Sequence, residues 1–214
     1  MSKEIASNNP SRISILARLV PAFSYAVPML GASLSAQLLV RVMMGIENAG
    51  AVGLGSVVGG MSEASFLTVV ALYFALIVGV IGIVVMIIRL LMITTTASPS
   101  GWFYLMASGL SYVPLALFWH VDSLLAQGIS GRRGVIEVAS TIKLGLALTP
   151  ITAVAIGLIL LVVSVVPLPS VLRAKRRWAP ILVLVLMELA MIGMAIAFQM
   201  RTSWFHRVAN GESF

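Results

Sequence analysis

Long apolar runs alternate with short polar breaks along this chain, and the runs set its architecture. Apolar residues dominate positions 19–40, 66–88, 102–119, 144–166 and 180–200. Each run is close to the about 20 residues that a helix needs to cross a hydrocarbon core of roughly 30 Å. Inside the runs apolar and polar residues do not alternate, as in Ile77-Val78-Gly79-Val80-Ile81-Gly82-Ile83-Val84-Val85-Met86-Ile87-Ile88. A transmembrane barrel would show short alternating segments, whereas a segment apolar on every face satisfies its own backbone only as a helix. The pattern predicts an all-α, polytopic integral membrane bundle of about five transmembrane helices, with residues 1–214 forming a single membrane domain.

The breaks refine this outline. Residues 1–12 read as a polar tail, and the first run is bracketed by Arg18 and Arg41 and contains Pro21 and Pro28. A signal peptide is the competing reading of that run, but its apolar stretch exceeds the about 7–15 residues of a signal sequence, so we expect a retained span. Residues 45–65 hold Gly45, Gly50, Gly53, Gly55, Gly59 and Gly60 together with Glu47 and Glu63. They read as a loop, a re-entrant turn or a loose start to the second helix. Residues 94–101 read as a loop. Residues 127–143 read as a polar connection whose second half, from Val135, is already helical. Trp102, Tyr104 and Trp119 lie near the ends of the third run, where interfacial aromatics belong. Ala75-xxx-Gly79 and Ala153-xxx-Gly157 are small-xxx-small patterns that admit a neighbouring helix closely.

Composition agrees with lipid as the main solvent. The chain is 60% hydrophobic and 10% charged with mean hydropathy +1.07, against about 25% charged residues in a soluble domain. It has no cysteine, which excludes disulfides and thiolate chemistry, and only two histidines, His120 and His206, far apart in sequence. No metal site or cofactor is expected from that inventory. The net charge is +7, and the basic residues cluster at the ends of apolar runs, where they anchor helices and meet anionic headgroups. The expected partners are therefore the lipid bilayer and other membrane protein subunits, in a homo- or hetero-oligomer, and not nucleic acid. Arg173-Ala174-Lys175-Arg176-Arg177 is the densest charged cluster and the hardest to translocate. It tips a narrow balance of flanking charge towards a cytoplasmic N-terminus, in a multi-pass protein of the bacterial cytoplasmic (inner) membrane.

Few polar residues fall within the runs, and these are the candidates for function. Glu188 sits deep in the fifth run, where a charge costs about 2.5–3.5 kcal/mol on insertion scales. It reads either as a proton or ion relay or as a hydrogen-bonding strut to a neighbouring helix. His120 and Asp122 are placed at the membrane boundary, either as the mouth of a proton path or as simply solvated groups. Thr68, Thr141, Thr149 and Thr152 put hydroxyls in or near spans. They line a path or, as is commoner, bond back to their own helix. Pro150 frees a carbonyl that such hydroxyls can serve. The glycine-rich stretch at 53–60 lacks the Gly-Lys-Ser/Thr of a phosphate loop. No nucleophile–base arrangement appears, so an enzyme is not expected.

The same stretch resembles part of the MotA/TolQ/ExbB proton-channel family. That family carries Gly-Leu-Leu-Gly-Thr-Val-x-Gly near its second span, and Gly53-Leu54-Gly55-Ser56-Val57-Val58-Gly59 is similar. Glu63-Ala64-Ser65-Phe66-Leu67-Thr68, followed by Ala71-Leu72-Tyr73-Phe74-Ala75-Leu76-Ile77, resembles the family's Glu-Ala-Leu-x-x-Thr and Gly-Leu-x-x-Ala-x-Pro segments. The resemblance implies an energy-transducing setting, with Thr68 in the place of the threonine that lines the family's channel. Here the two motifs are adjacent, where the family separates them by a helix, and three further apolar runs follow. Two functions stand on these readings. One is a subunit that scaffolds or anchors a larger membrane complex. The other is a proton- or ion-conducting subunit with a path through Glu188, Thr68, Thr149, His120 and Asp122.

Overall fold

The structure is a computed structural model that describes residues 12–49, 54–92, 101–129, 135–165 and 178–211, and these fold as five helices. They are α1 (Arg12–Ala49), α2 (Leu54–Met92), α3 (Gly101–Ile129), α4 (Val135–Val165) and α5 (Ala179–Ala209). The helices outrun the apolar stretches because polar residues at the ends continue the backbone ladder. Residues 45–49 belong to α1 and residues 54–65 to α2, so a loose helical start is the reading of the glycine-rich stretch that the structure adopts. Residues 50–53 lie outside the described residues, as do 93–100 and the basic cluster at 173–177. The connection expected over 127–143 is shorter than the sequence implies: α3 continues to Ile129, and α4 starts at Val135 as anticipated.

Side-chain contacts give the helix directions. Ser24 meets Ala75 and Ser35 meets Thr68, so α1 and α2 are antiparallel. Ser62 meets Thr202 while Gly79 meets Glu188, so α2 and α5 are antiparallel. Ser108 meets Met187 and Ser123 meets Arg201, so α3 runs parallel to α5. Helix α1 packs on α2, α3 and α4, and α5 packs on α2 and α3. The result is a ring of α1, α2, α5 and α3, with α4 outside it against α1 and α3.

The inward positions recur every seven residues. On α2 they are Val58, Met61, Ser65, Thr68, Leu72, Ala75, Gly79, Gly82 and Met86. On α3 they include Ser108, Ser111, Leu115, Phe118 and Asp122, and on α5 Ile181, Leu184, Glu188, Met191, Ala195, Phe198 and Phe205. A 3.5-residue repeat keeps one seam facing its partner, as in left-handed bundles. Glycines set the close approaches. A Cβ at Gly60 would lie 2.8 Å from Val42 Cγ1, and one at Gly31 would overlap Ala71 Cβ.

Outside, the helices present large apolar side chains, among them Ile77, Val80, Leu182, Ile192 and Ile151, all exposed. Continuous apolar exposure of this kind suits lipid contact and not water. Helices α1, α2, α4 and α5 contain stretches long and apolar enough to cross a membrane. Helix α3 is more polar, but its Ser108, Ser111 and Asp122 face inwards, and it runs beside α5 over the same depth.

Candidate functional site

The polar residues on the inner seams form two layers. Along α5 the rise from Glu188 to Arg201 is about 20 Å at about 1.5 Å per residue. Both layers therefore fit within, or at the edge of, one hydrocarbon thickness.

The deeper layer surrounds Glu188, which is buried at 6% exposure. Its carboxyl group lies where the Cβ of any larger residue at Gly79 would be, because a Cβ there would overlap Glu188 Oε1 and Cδ. Glycine at position 79 is thus what makes room for the carboxylate-bearing side chain. Ser24 stands beside Glu188, and its hydroxyl donates to Ala75 O at 2.8 Å. Glu188 Oε2 has no hydrogen-bond partner among the described residues. From α3, Tyr112 donates to Met187 O at 3.3 Å, Ser108 Oγ lies 2.7 Å from Met187 Sδ, and Ser111 donates to Ser108 O at 2.7 Å. Glu188 is therefore enclosed by α1, α2 and α3, and it faces no charge partner among the described residues.

The second layer corrects the sequence reading of Asp122. That residue is not solvated at the boundary but fully buried, so Glu188 is not the sole sheltered carboxyl group. Arg201 Nε approaches Asp122 Oδ2 at 3.3 Å, and Ser65 donates to Asp122 Oδ1 at 2.9 Å. The Arg201 contact is an ion pair off the N–H axis, since Oδ2 accepts no hydrogen bond. The guanidinium also reaches Ser123 Oγ at 3.4 Å and lies 5.2 Å from the centre of the Trp119 ring, a cation–π distance. Trp119 in turn stands edge-on to Phe198, with ring centroids 4.9 Å apart. One ion pair thus ties α2, α3 and α5 together. Between the layers, Ser35 and Thr68 share a hydrogen bond of 2.8 Å in a fully buried setting.

Of the residues singled out in sequence, the structure brings Glu188, Asp122 and Thr68 into this interior. Thr149 is buried on α4, outside the ring, and bonds back to Gly145 O at 2.8 Å. Thr152 likewise bonds back to Leu148 O at 2.8 Å, so these hydroxyls flank Pro150, through which α4 runs on, without joining the polar interior. His120 is exposed on the opposite face of α3 from Asp122. Thr141 lies in α4, where its side chain is outside the described residues. Ser24, Ser35, Ser65, Ser108, Tyr112 and above all Arg201 are not among the site candidates read from the sequence. The signal was present in the seven-residue seam, on which Asp122 follows Ser108, Ser111, Leu115 and Phe118 in register. Among the described residues no group of three or more His, Asp or Glu side chains is arranged to hold a metal ion.

No protein-family model matches this chain, and no curated protein or solved structure matches it significantly.

Proposed function

We propose that this chain is an integral membrane subunit that scaffolds a larger membrane complex, holding its helices in fixed register for other chains to pack against. The observation that carries this reading is how the buried charges are used. Asp122 and Arg201 neutralise one another across α3 and α5, and Glu188 is seated against Gly79 with no intervening space. Polar groups so deployed fix interhelix register. Outward-facing small residues supply the docking surface. Gly109 on α3 and Gly193 on α5 are exposed, with no atom within 4 Å of a Cβ built at either. Small residues let a neighbouring backbone approach closely where apolar burial gains little over lipid. The basic cluster at 173–177 favours a bacterial inner membrane with the N-terminus inside.

Blue native electrophoresis after mild extraction of native membranes tests the proposal. The chain is expected in a band larger than its 22.7 kDa monomer, and Gly193→Leu should shift it towards the monomer without lowering its melting temperature. Migration of the unaltered chain as a monomer would contradict the proposal.

Proton conduction is the second reading, and one observation favours it. The unpartnered Glu188 Oε2 and the layer of Asp122 and Ser65 are separated by the Ser35–Thr68 hydroxyls, which lie at intermediate depth. The resemblance of 53–77 to proton-channel subunits, with Thr68 at the channel position, points the same way. Against it, Ser35, Thr68 and Ser65 are fully buried and already hydrogen-bonded.

A further inference from the structure

A cleft of about 450 Å³ opens where the start of α2 meets the end of α5, lined by Ser62, Glu63, Phe66, Thr202, Ser203, His206 and Arg207. Its size is within the roughly 300–1,000 Å³ of small-molecule sites. We infer that this cleft binds a zwitterionic phospholipid with a primary ammonium headgroup, that is, a phosphatidylethanolamine.

Depth is the first support. The apolar part of α5 ends at Met200, and that of α2 begins at Phe66, so Glu63, His206 and Arg207 lie just beyond the hydrocarbon, at headgroup level. Charge is the second. Glu63 and Arg207 share one cleft, both exposed, and among the described residues neither has an ion-pair partner. Opposite charges that line one cavity without pairing complement a ligand that carries both signs. Arg207 is the available cation, because Arg201 is engaged with Asp122. The Arg207 guanidinium and the Ser203 hydroxyl suit the phosphate, and the Glu63 carboxylate suits an ammonium that donates N–H bonds. A neighbouring groove of mixed lining is the third. A second groove of about 280 Å³, lined by Ile196, Gln199, Met200, Ser203 and Arg207, shares Ser203 and Arg207 with the cleft and leads along α5 towards the bilayer interior. It provides a path for an acyl chain next to the headgroup cleft.

The charge pattern selects among lipids. Phosphatidylcholine offers Glu63 no N–H donor, and phosphatidylglycerol offers it no cation. Native mass spectrometry of the full chain in detergent, titrated separately with dioleoyl phosphatidylethanolamine, phosphatidylcholine and phosphatidylglycerol, reads the preference directly. The ethanolamine lipid should bind tightest. Glu63→Gln should weaken it about tenfold, to the level of the choline lipid, which is the scale of one charge-assisted hydrogen bond. Arg207→Gln should weaken the ethanolamine and glycerol lipids alike. Both side chains are exposed, so unchanged melting temperatures check that the variants fold. Equal retention of the three lipids, a preference for the glycerol lipid, or an unaltered ethanolamine preference in Glu63→Gln would each overturn the inference.

Discussion

Glu188 shows how a single residue both constrains and depends on its surroundings. Its carboxyl group occupies the space that Gly79 leaves open, beside a Ser24 oxygen whose proton is turned towards Ala75. Gly79→Ala should therefore destabilise the protein by about 1–3 kcal/mol through overpacking, and the same substitution in a Glu188→Ala background should be nearly neutral. Melting curves of the two single variants and the double variant measure that coupling. Glu188→Gln keeps the shape and adds an N–H that can donate to Ser24, so it should melt close to the unaltered protein. In proteoliposomes neither protein should carry a proton flux above that of empty vesicles. A flux in the unaltered chain that Glu188→Gln abolishes would instead favour conduction. The depth of Glu188 was legible in the sequence, since the apolar run around it is unbroken. Its partner glycine was not, because Ala75-xxx-Gly79 predicts close approach without saying whose side chain arrives.

At the scale of elements, the Asp122–Arg201 pair acts between α3 and α5, and Ser65 adds α2. Removing one partner leaves a charge without compensation in a poorly solvated place, at a cost of about 3 kcal/mol. Asp122→Leu and Arg201→Met should each destabilise the bundle, and the double variant should be more stable than the sum of the two losses predicts. Strict additivity in thermal unfolding would show that the pair does not couple the helices. The helices themselves were legible because runs without polar residues admit only one backbone arrangement in lipid. Their ends were not. Trp119 looked like an interfacial terminus, yet α3 continues for more than two turns beyond it, and Trp119 serves as a platform for Arg201 and Phe198. Placing the boundary at Trp119 made Asp122 look solvated, although its seam register marks it as buried. The glycines at 55–60 look like loop formers by propensity, but they lie in helix α2, and Gly60 packs on Val42 of α1.

For the whole molecule, the interior sets a few polar groups among buried apolar side chains such as Leu72, Phe118 and Phe198, while many other large apolar side chains face outwards. Ser24, Ser35, Ser65, Thr68, Ser108, Asp122 and Glu188 are all buried, while Ile77, Val80, Leu189 and Ile192 are exposed. The ring of α1, α2, α5 and α3, with α4 alongside, encloses Asp122 and Glu188, the two buried carboxyl groups among the described residues. The ring order was not legible in the sequence, because hydropathy fixes which segments span but not which of them are neighbours. The chain has no cysteine, so single cysteines carrying nitroxide labels can be placed freely in the protein in lipid bilayers. Collision with oxygen, which concentrates in hydrocarbon, can then be compared with collision by a water-soluble nickel chelate at Ile77 and Ile192, and at the buried Leu72 and Leu184. The lipid-embedded bundle predicts high oxygen and low nickel access at Ile77 and Ile192, and low access to both at Leu72 and Leu184. Ready access of the nickel chelate to Ile77 and Ile192 would contradict it.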